Sequence, residues 1–170
     1  RRVCLLKSNM NIINYVKSKI LAKSFDNKLS KVLKDVYSKE SNELVTHNNG
    51  DLVRGKHAWG EVNHDFVPGI YLRQMILYEG STVISGVHKR DHAWFLLEGH
   101  ITIVSGGINE DYEAPYVGFS NAGTQRVIRA NEYSIFQNVF KNPLDNKDLD
   151  FVEKYNYALT KEEYNEYIKN

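Results

Sequence analysis

The side chains able to do chemistry gather in the middle of the chain. His88 and His92 stand four residues apart, between two β-prone runs. Imidazole carries protons near neutral pH and is a common metal ligand. His64, just ahead of Phe66-Val67-Pro68-Gly69, is a third histidine, from a different strand. Arg73 and Arg126 each lie in an alternating segment. A guanidinium pointing inward from such a segment anchors an anion through its planar fork. One pointing outward makes a surface salt bridge, for Arg126 or Arg73 with Glu79, Glu98 or Glu132. Arg126 follows Gly123-Thr124-Gln125, where a loop runs into a strand and binding residues are often held on a rigid scaffold. Other chemistry has little support. There is no Gly-rich phosphate loop and no G-x-S-x-G elbow. The one cysteine, Cys4, is far from the histidines and rules out an internal disulfide or a cysteine-rich zinc site.

The elements that must position these groups are strands. Gly80–Val104 reads as a strand, a turn bearing His88 and His92, a second strand, the Glu98-Gly99 turn and a third strand. Thr82, Val83 and Ile84 are β-branched. Trp94-Phe95-Leu96-Leu97 is an apolar run of strand length, too short for a helix. Further strands are expected at Ile70–Tyr78, Glu113–Phe119, Gln125–Arg129 and Ser134–Phe140, with Ala93–Leu97 and His100–Val104 at the centre. Close spacing with Gly, Asn and Pro turns argues for a sandwich or barrel. Pro115, which has no N–H to donate, belongs at a strand start or edge.

The order of Gly86, His88, His92, Leu96-Leu97-Glu98-Gly99 and Ile101-Thr102-Ile103 resembles the first motif of the cupins, antiparallel jelly-roll barrels. Phe66–Arg73 is similar to an "F.PG.Y.R" segment, and Ala114-Pro115-Tyr116 with Asn121–Arg126 to an "AP…aGt.R" segment. Together these resemble a compact cupin-like family of tailed bacteriophages and prophages, over roughly residues 60–150. The resemblance implies a single antiparallel cupin-type barrel, mainly β. A metal-dependent cupin sets two histidines and a carboxylate from the first motif, and one histidine from the second, around one ion. Carried over by position, His88 takes the second histidine's place and His92 the carboxylate's. Gly86 stands where the first histidine would, Arg90 where the phage family often has another, and Phe140 where the second-motif histidine would. The metal candidates are therefore His88, His92 and His64, with Asp91, Asn138, His100 or water to complete a shell for Fe, Mn, Ni or Zn. The same histidines also read as packed polar residues at the barrel rim. A ligand-binding reading without metal uses Arg73, Arg126 and Trp94.

Around this barrel the chain divides into an N-terminal helical extension (1–45), a linker (46–60), the barrel (61–143) and a C-terminal helical extension (144–170). Residues 9–39 carry Ile13, Val16, Ile20, Phe25, Leu29, Val32 and Val36 at helical spacing, among lysines. That pattern suits packing on the barrel or on a second subunit. Nucleic-acid binding lacks interleaved arginines and aromatics, and a membrane-surface helix lacks tryptophan. Residues 40–60, with Asn49-Gly50, read as linker and turns. After Pro143, Leu149, Phe151, Val152 and Tyr155 suggest a short helix, and Thr160-Lys161-Glu162-Glu163 a capping box opening a last one.

At 170 residues, 42% hydrophobic and 25% charged, the chain has the make-up of one globular domain with an appendage. The net charge of +1 hides an asymmetry. Residues 1–46 hold ten Lys/Arg against four Asp/Glu, and residues 144–170 hold four against seven. Such ends would favour pairing between subunits. No apolar run is long enough to span a bilayer. The start at Arg1-Arg2 suggests a trimmed product, and no secretory leader is visible. The function expected from the resemblance is a non-enzymatic structural or interaction protein, in the virion or host cytoplasm. It would be homo-oligomeric, with helical ends that contact itself and other virion proteins. The alternatives are a metal-dependent enzyme on a small molecule and a small-anion-binding barrel.

Overall fold

The computed structural model describes residues 53–57 and 60–170; the expected N-terminal helix lies outside them. Twelve strands and two short helices follow in order: β1 (Val53–His57), β2 (Gly60–Val67), β3 (Gly69–Leu77), β4 (Thr82–Ile84), β5 (Val87–His88), β6 (His92–Glu98), β7 (His100–Ser105), β8 (Ile108–Glu113), β9 (Tyr116–Ser120), β10 (Arg126–Ala130), β11 (Ser134–Asn142), α1 (Leu149–Asn156), β12 (Tyr157–Ala158) and α2 (Lys161–Tyr167). One sheet has the order β1-β2-β3-β11-β6-β9, a second β4-β10-β7-β8, and β12 pairs with β5. All pairings are antiparallel.

The expected barrel is corrected to a sandwich of two open sheets. No ladder joins the edge strands β1 and β9 of the larger sheet to the edges β4 and β8 of the smaller. The chain leaves β8 through Glu113, Ala114 and Pro115 and changes sheet before β9. Between the sheets, Val62, Met75, Leu77, Trp94, Leu96 and Phe136 from one meet Ile101, Ile103, Ile128 and Ala130 from the other. Each fully buried large apolar side chain there stabilises the fold by about 1.5–3 kcal/mol.

The alternation read from the sequence sets these faces. In β11, Ser134, Phe136, Asn138, Phe140 and Asn142 point inward; in β10, Arg126, Ile128 and Ala130; in β6, His92, Trp94 and Leu96. The Glu98-Gly99 turn forms as expected. Gly99 sits at φ +87°, where a Cβ would come within 2.3 Å of the Tyr133 carbonyl, so this turn admits little but glycine.

Five strands fall outside the expected ones: β2 (Gly60–Val67), β5 (Val87–His88) in the stretch read as a turn, and three more. Val53–His57 pairs with β2 inside the stretch read as linker. Ile108–Glu113 is an edge strand with almost every side chain in solvent. Tyr157–Ala158 lies between the C-terminal helices and pairs with Val87–His88. Thr160 caps α2, its hydroxyl accepting the Glu163 N–H, while the Glu163 carboxylate accepts the Leu159 N–H. No helix among the described residues is long and apolar enough to cross a membrane.

Candidate functional site

At one end of the sandwich the inward-facing residues turn polar. β5 presents His88, β6 His92, β10 Arg126 and β11 Asn138, and all four are buried. They meet at one nitrogen. Nη2 of Arg126 lies 3.1 Å from His88 Nε2, 3.2 Å from His92 Nε2 and 3.2 Å from Asn138 Oδ1. Nη2 carries two hydrogens for three acceptors, so at least one bond is shared. Both imidazoles therefore turn their lone pairs to the guanidinium. The remaining proton of each ring sits on Nδ1. That of His92 faces the Arg90 carbonyl at 3.4 Å, and Nδ1 of His88 has no partner.

The electrostatics follow from burial beside a cation. Desolvation first, and then the Arg126 charge, lower the His92 pKa to about 4 and push that of His88 well below its usual value. Both rings are neutral at physiological pH. Desolvation lowers even the Arg126 guanidinium to about 10, which leaves it charged at neutral pH. No carboxylate among the described residues opposes that charge; its favourable electrostatic neighbours are the phenols of Tyr157 and Tyr112. The rings of Trp94 and Phe136 lie 5.8 and 5.5 Å from its Cζ. Two such cation–π contacts return roughly 0.5–2 kcal/mol each, against several kcal/mol for burying an unpaired ion.

Aromatic rings wall the cluster. Phe140 lies 4.6 Å from the His92 ring and 6.1 Å from that of His88, and Tyr157 of β12 lies 4.8 Å from His88. Arg73, the cross-strand neighbour of Asn138, lies against Tyr157, its Cζ 5.8 Å from the ring. It hydrogen-bonds that phenol, which together with Glu153 raises the Arg73 pKa against desolvation. Arg73 is half-buried, yet its Nε is sealed and unpartnered.

Of the residues singled out in the sequence, His88, His92, Arg126 and Trp94 come together, and Arg73 lies beside Asn138 and Tyr157. His64 does not. Its Nδ1 is 2.7 Å from the Tyr71 hydroxyl, and the two rings stack. Tyr71 in turn stacks on Phe140, whose ring lies against His92. The other proposed shell members are engaged elsewhere. Asp91 accepts the Ala122 N–H and is exposed, and His100 faces Asn131. Asn138 alone reaches the centre.

The residues present do not fit a cupin metal. No group of three or more His, Cys, Asp or Glu able to hold an ion occurs among the described residues. The two positions where the motif lacks a histidine are filled by other parts of the fold. A Cβ on Gly86 would stand 2.9 Å from the Ala158 carbonyl and 3.3 Å from Tyr157 Cβ. The C-terminal strand thus occupies the room a side chain at 86 would need. At 140 the phenyl ring is itself part of the wall. The surviving imidazoles face the Arg126 cation, which repels a metal ion and occupies its donors.

Sequence reasoning missed Tyr157 and the central place of Arg126. Tyr157 left only a faint signal, one tyrosine in a tyrosine-rich end. Arg126 was visible as a candidate for either face of an alternating segment; the structure turns it inward with Ile128 and Ala130.

No family model and no curated protein matches the chain. Solved structures do. The Lactobacillus farciminis oxalate decarboxylase formate complex gives a TM-score of 0.52 at 20% identity, over 67% of this chain and 37% of that one. A mutant of the Bacillus subtilis oxalate decarboxylase gives 0.52 at 17% identity, over 71% and 34%. An RmlC-like cupin from Shewanella frigidimarina gives 0.48 at 12% identity, over 64% and 96%. The chain thus spans little more than a third of the length of the decarboxylases it matches. These likenesses are of architecture: the chain has a cupin fold, which hosts many activities and by itself assigns none.

Proposed function

We propose that this chain is a non-enzymatic cupin-fold protein with a structural or interaction role, in keeping with the phage family that its motifs resemble. One observation carries the reading: the Arg126 guanidinium sits among His88, His92 and Asn138, where a metal-dependent cupin would hold its ion. A fold kept with its centre closed by arginine serves as a scaffold. Its partners would be further copies of itself and other proteins of a virion, engaged through the helical ends. Exposed apolar side chains on the outer side of β6 and β9, Leu97, Val117 and Phe119, also favour an interaction role.

Elemental analysis after incubation with iron, manganese, nickel or zinc tests the proposal. The expected result is no stoichiometric ion. About one ion per chain, lost in His88→Ala and His92→Ala, would overturn it in favour of a metal-dependent enzyme. Sedimentation velocity supplies the second arm: a strict monomer at all concentrations would remove the oligomeric part.

A further inference from the structure

We infer that the Arg126 cluster binds a small oxyanion, a carboxylate or a phosphate, as counter-ion to its buried guanidinium. Arg126 is 2% exposed, and its Nε and Nη1 have no hydrogen-bond partner. Three N–H hydrogens, one on Nε and two on Nη1, are thus sealed from water without an acceptor. Buried donors of a charged group are rarely left so, because nothing repays the lost hydration. The neighbourhood repeats the pattern. Nε of Arg73 and Nδ1 of His88 are also buried and unpartnered. With both histidine Nε2 atoms facing Nη2, the second nitrogen of His88 is a further N–H donor.

The unmet groups of Arg126, Arg73 and His88 are donors, and two of these three residues are cationic; beside them Gln125 Oε1 is a buried acceptor without a partner. A bound water would accept hydrogen bonds but leave the charge unopposed. An oxyanion supplies both acceptor lone pairs and charge, in the geometry a guanidinium holds best. The closed surroundings select for size. Trp94, Phe136, Phe140 and Tyr157 pack against the cluster, so an entering ion must be small and must move at least one of these rings. Of these rings Tyr157 is half-buried and held in a strand of only two residues, and it is the one we expect to move.

The test uses the full chain, dialysed against an anion-poor buffer with chelator so that metal uptake plays no part. Failure here would leave the scaffold proposal standing, since neither the metal test nor the assembly test depends on an anion. Thermal unfolding and titration calorimetry are run with sodium acetate and with inorganic phosphate, against sodium chloride at equal ionic strength. One of the two is expected to saturate at one ion per chain and raise Tm. Acetate alone would assign a carboxylate site, phosphate alone a phosphate site. Arg126→Met should weaken binding at least tenfold, and Arg126→Lys, which keeps the charge and loses the fork, should weaken it less. No saturable response to either ion, or an equal response in Arg126→Met, would overturn the inference. If Arg126→Met does not fold, the Nε–H resonance of Arg126 in the unaltered protein decides: it should move on adding the ion, and a stationary resonance would overturn the site.

Discussion

The same three strands build both ends of the sandwich interior. At one end β6, β10 and β11 turn Leu96, Ile128, Ala130 and Phe136 inward, into an apolar cluster closed from both sheets. At the other they turn His92, Arg126 and Asn138 inward, and β5 adds His88. Backbone, pairing and alternation are alike, and the side chains differ. The apolar end is stabilised by what it contains, since dispersion and loss of hydrated surface grow with every atom buried. The polar end is held in spite of what it contains. Its hydrogen bonds among Arg126, His88, His92 and Asn138 compensate only part of the desolvation of a cation. Truncation should therefore hurt one end and apolar replacement should help the other.

The largest effect is expected at the apolar end. Phe136 is fully buried and stacks on Trp94 at 5.1 Å. Phe136→Ala should cost about 3–5 kcal/mol, measured by urea unfolding. A loss under 1 kcal/mol would mean that this end collapses around the gap, and the contrast would fail.

Next comes acid sensitivity at the polar end. The folded protein keeps His92 neutral down to about pH 4, whereas the unfolded chain takes up its proton near the ordinary value of 6.5. Between those values the unfolded state binds more protons, so stability falls as pH falls. At about 1.4 kcal/mol per unit, His92 alone removes roughly 3 kcal/mol between pH 6.5 and 4. His88, lowered as well, adds to the loss in the same direction. Urea midpoints across this range should slope downward toward acid, and His92→Gln should flatten the slope. An unchanged slope would show that His92 is hydrated in solution.

Opposite in sign is the change expected at Arg126. Arg126→Met keeps much of the volume and removes the buried charge. In an anion-poor buffer it should leave stability unchanged or raise it by about 1 kcal/mol, the gain reduced by the two imidazole nitrogens and the Asn138 carbonyl left unpaired. A loss above about 2 kcal/mol would mean that the guanidinium is already compensated, and the two ends would be stabilised alike.

Much of this contrast was legible in the sequence. Trp94–Leu97 and Ile101/Ile103 announced the central strands, Glu98-Gly99 the turn, and the alternating segment around Arg126 left it able to point inward or outward. Polarity hid the rest. Val53–His57 has one large apolar residue in five, and Ile108–Glu113 is a solvated edge, so neither shows the alternation that burial imposes. The meeting of Arg126 with His88, 38 residues away, depends on which strands neighbour one another, and local spacing is silent on that. The open edges have the same origin: each strand's pattern reports a buried face, whether or not the sheet closes.

The smallest effect concerns how the C-terminal strand is held against the polar end. β12 is only Tyr157–Ala158, yet it covers His88 and fills the space beside Gly86. It is secured from both sides. On one, the Arg90 side chain donates to the Tyr155 carbonyl and stacks on the Tyr155 ring. On the other, α2 starts at the Thr160 cap, and Lys161 donates to the Gly123 carbonyl at 2.7 Å. Thr160→Ala removes the cap and should cost about 1 kcal/mol. The amide protons of Tyr157 and Ala158 should then exchange faster, while those of β10 and β11 keep their protection, because local opening need not reach the core. Equal acceleration throughout would show that the C-terminal segment and the sandwich unfold as one unit. The polar end would then be closed by the whole fold and not by a separately held strand.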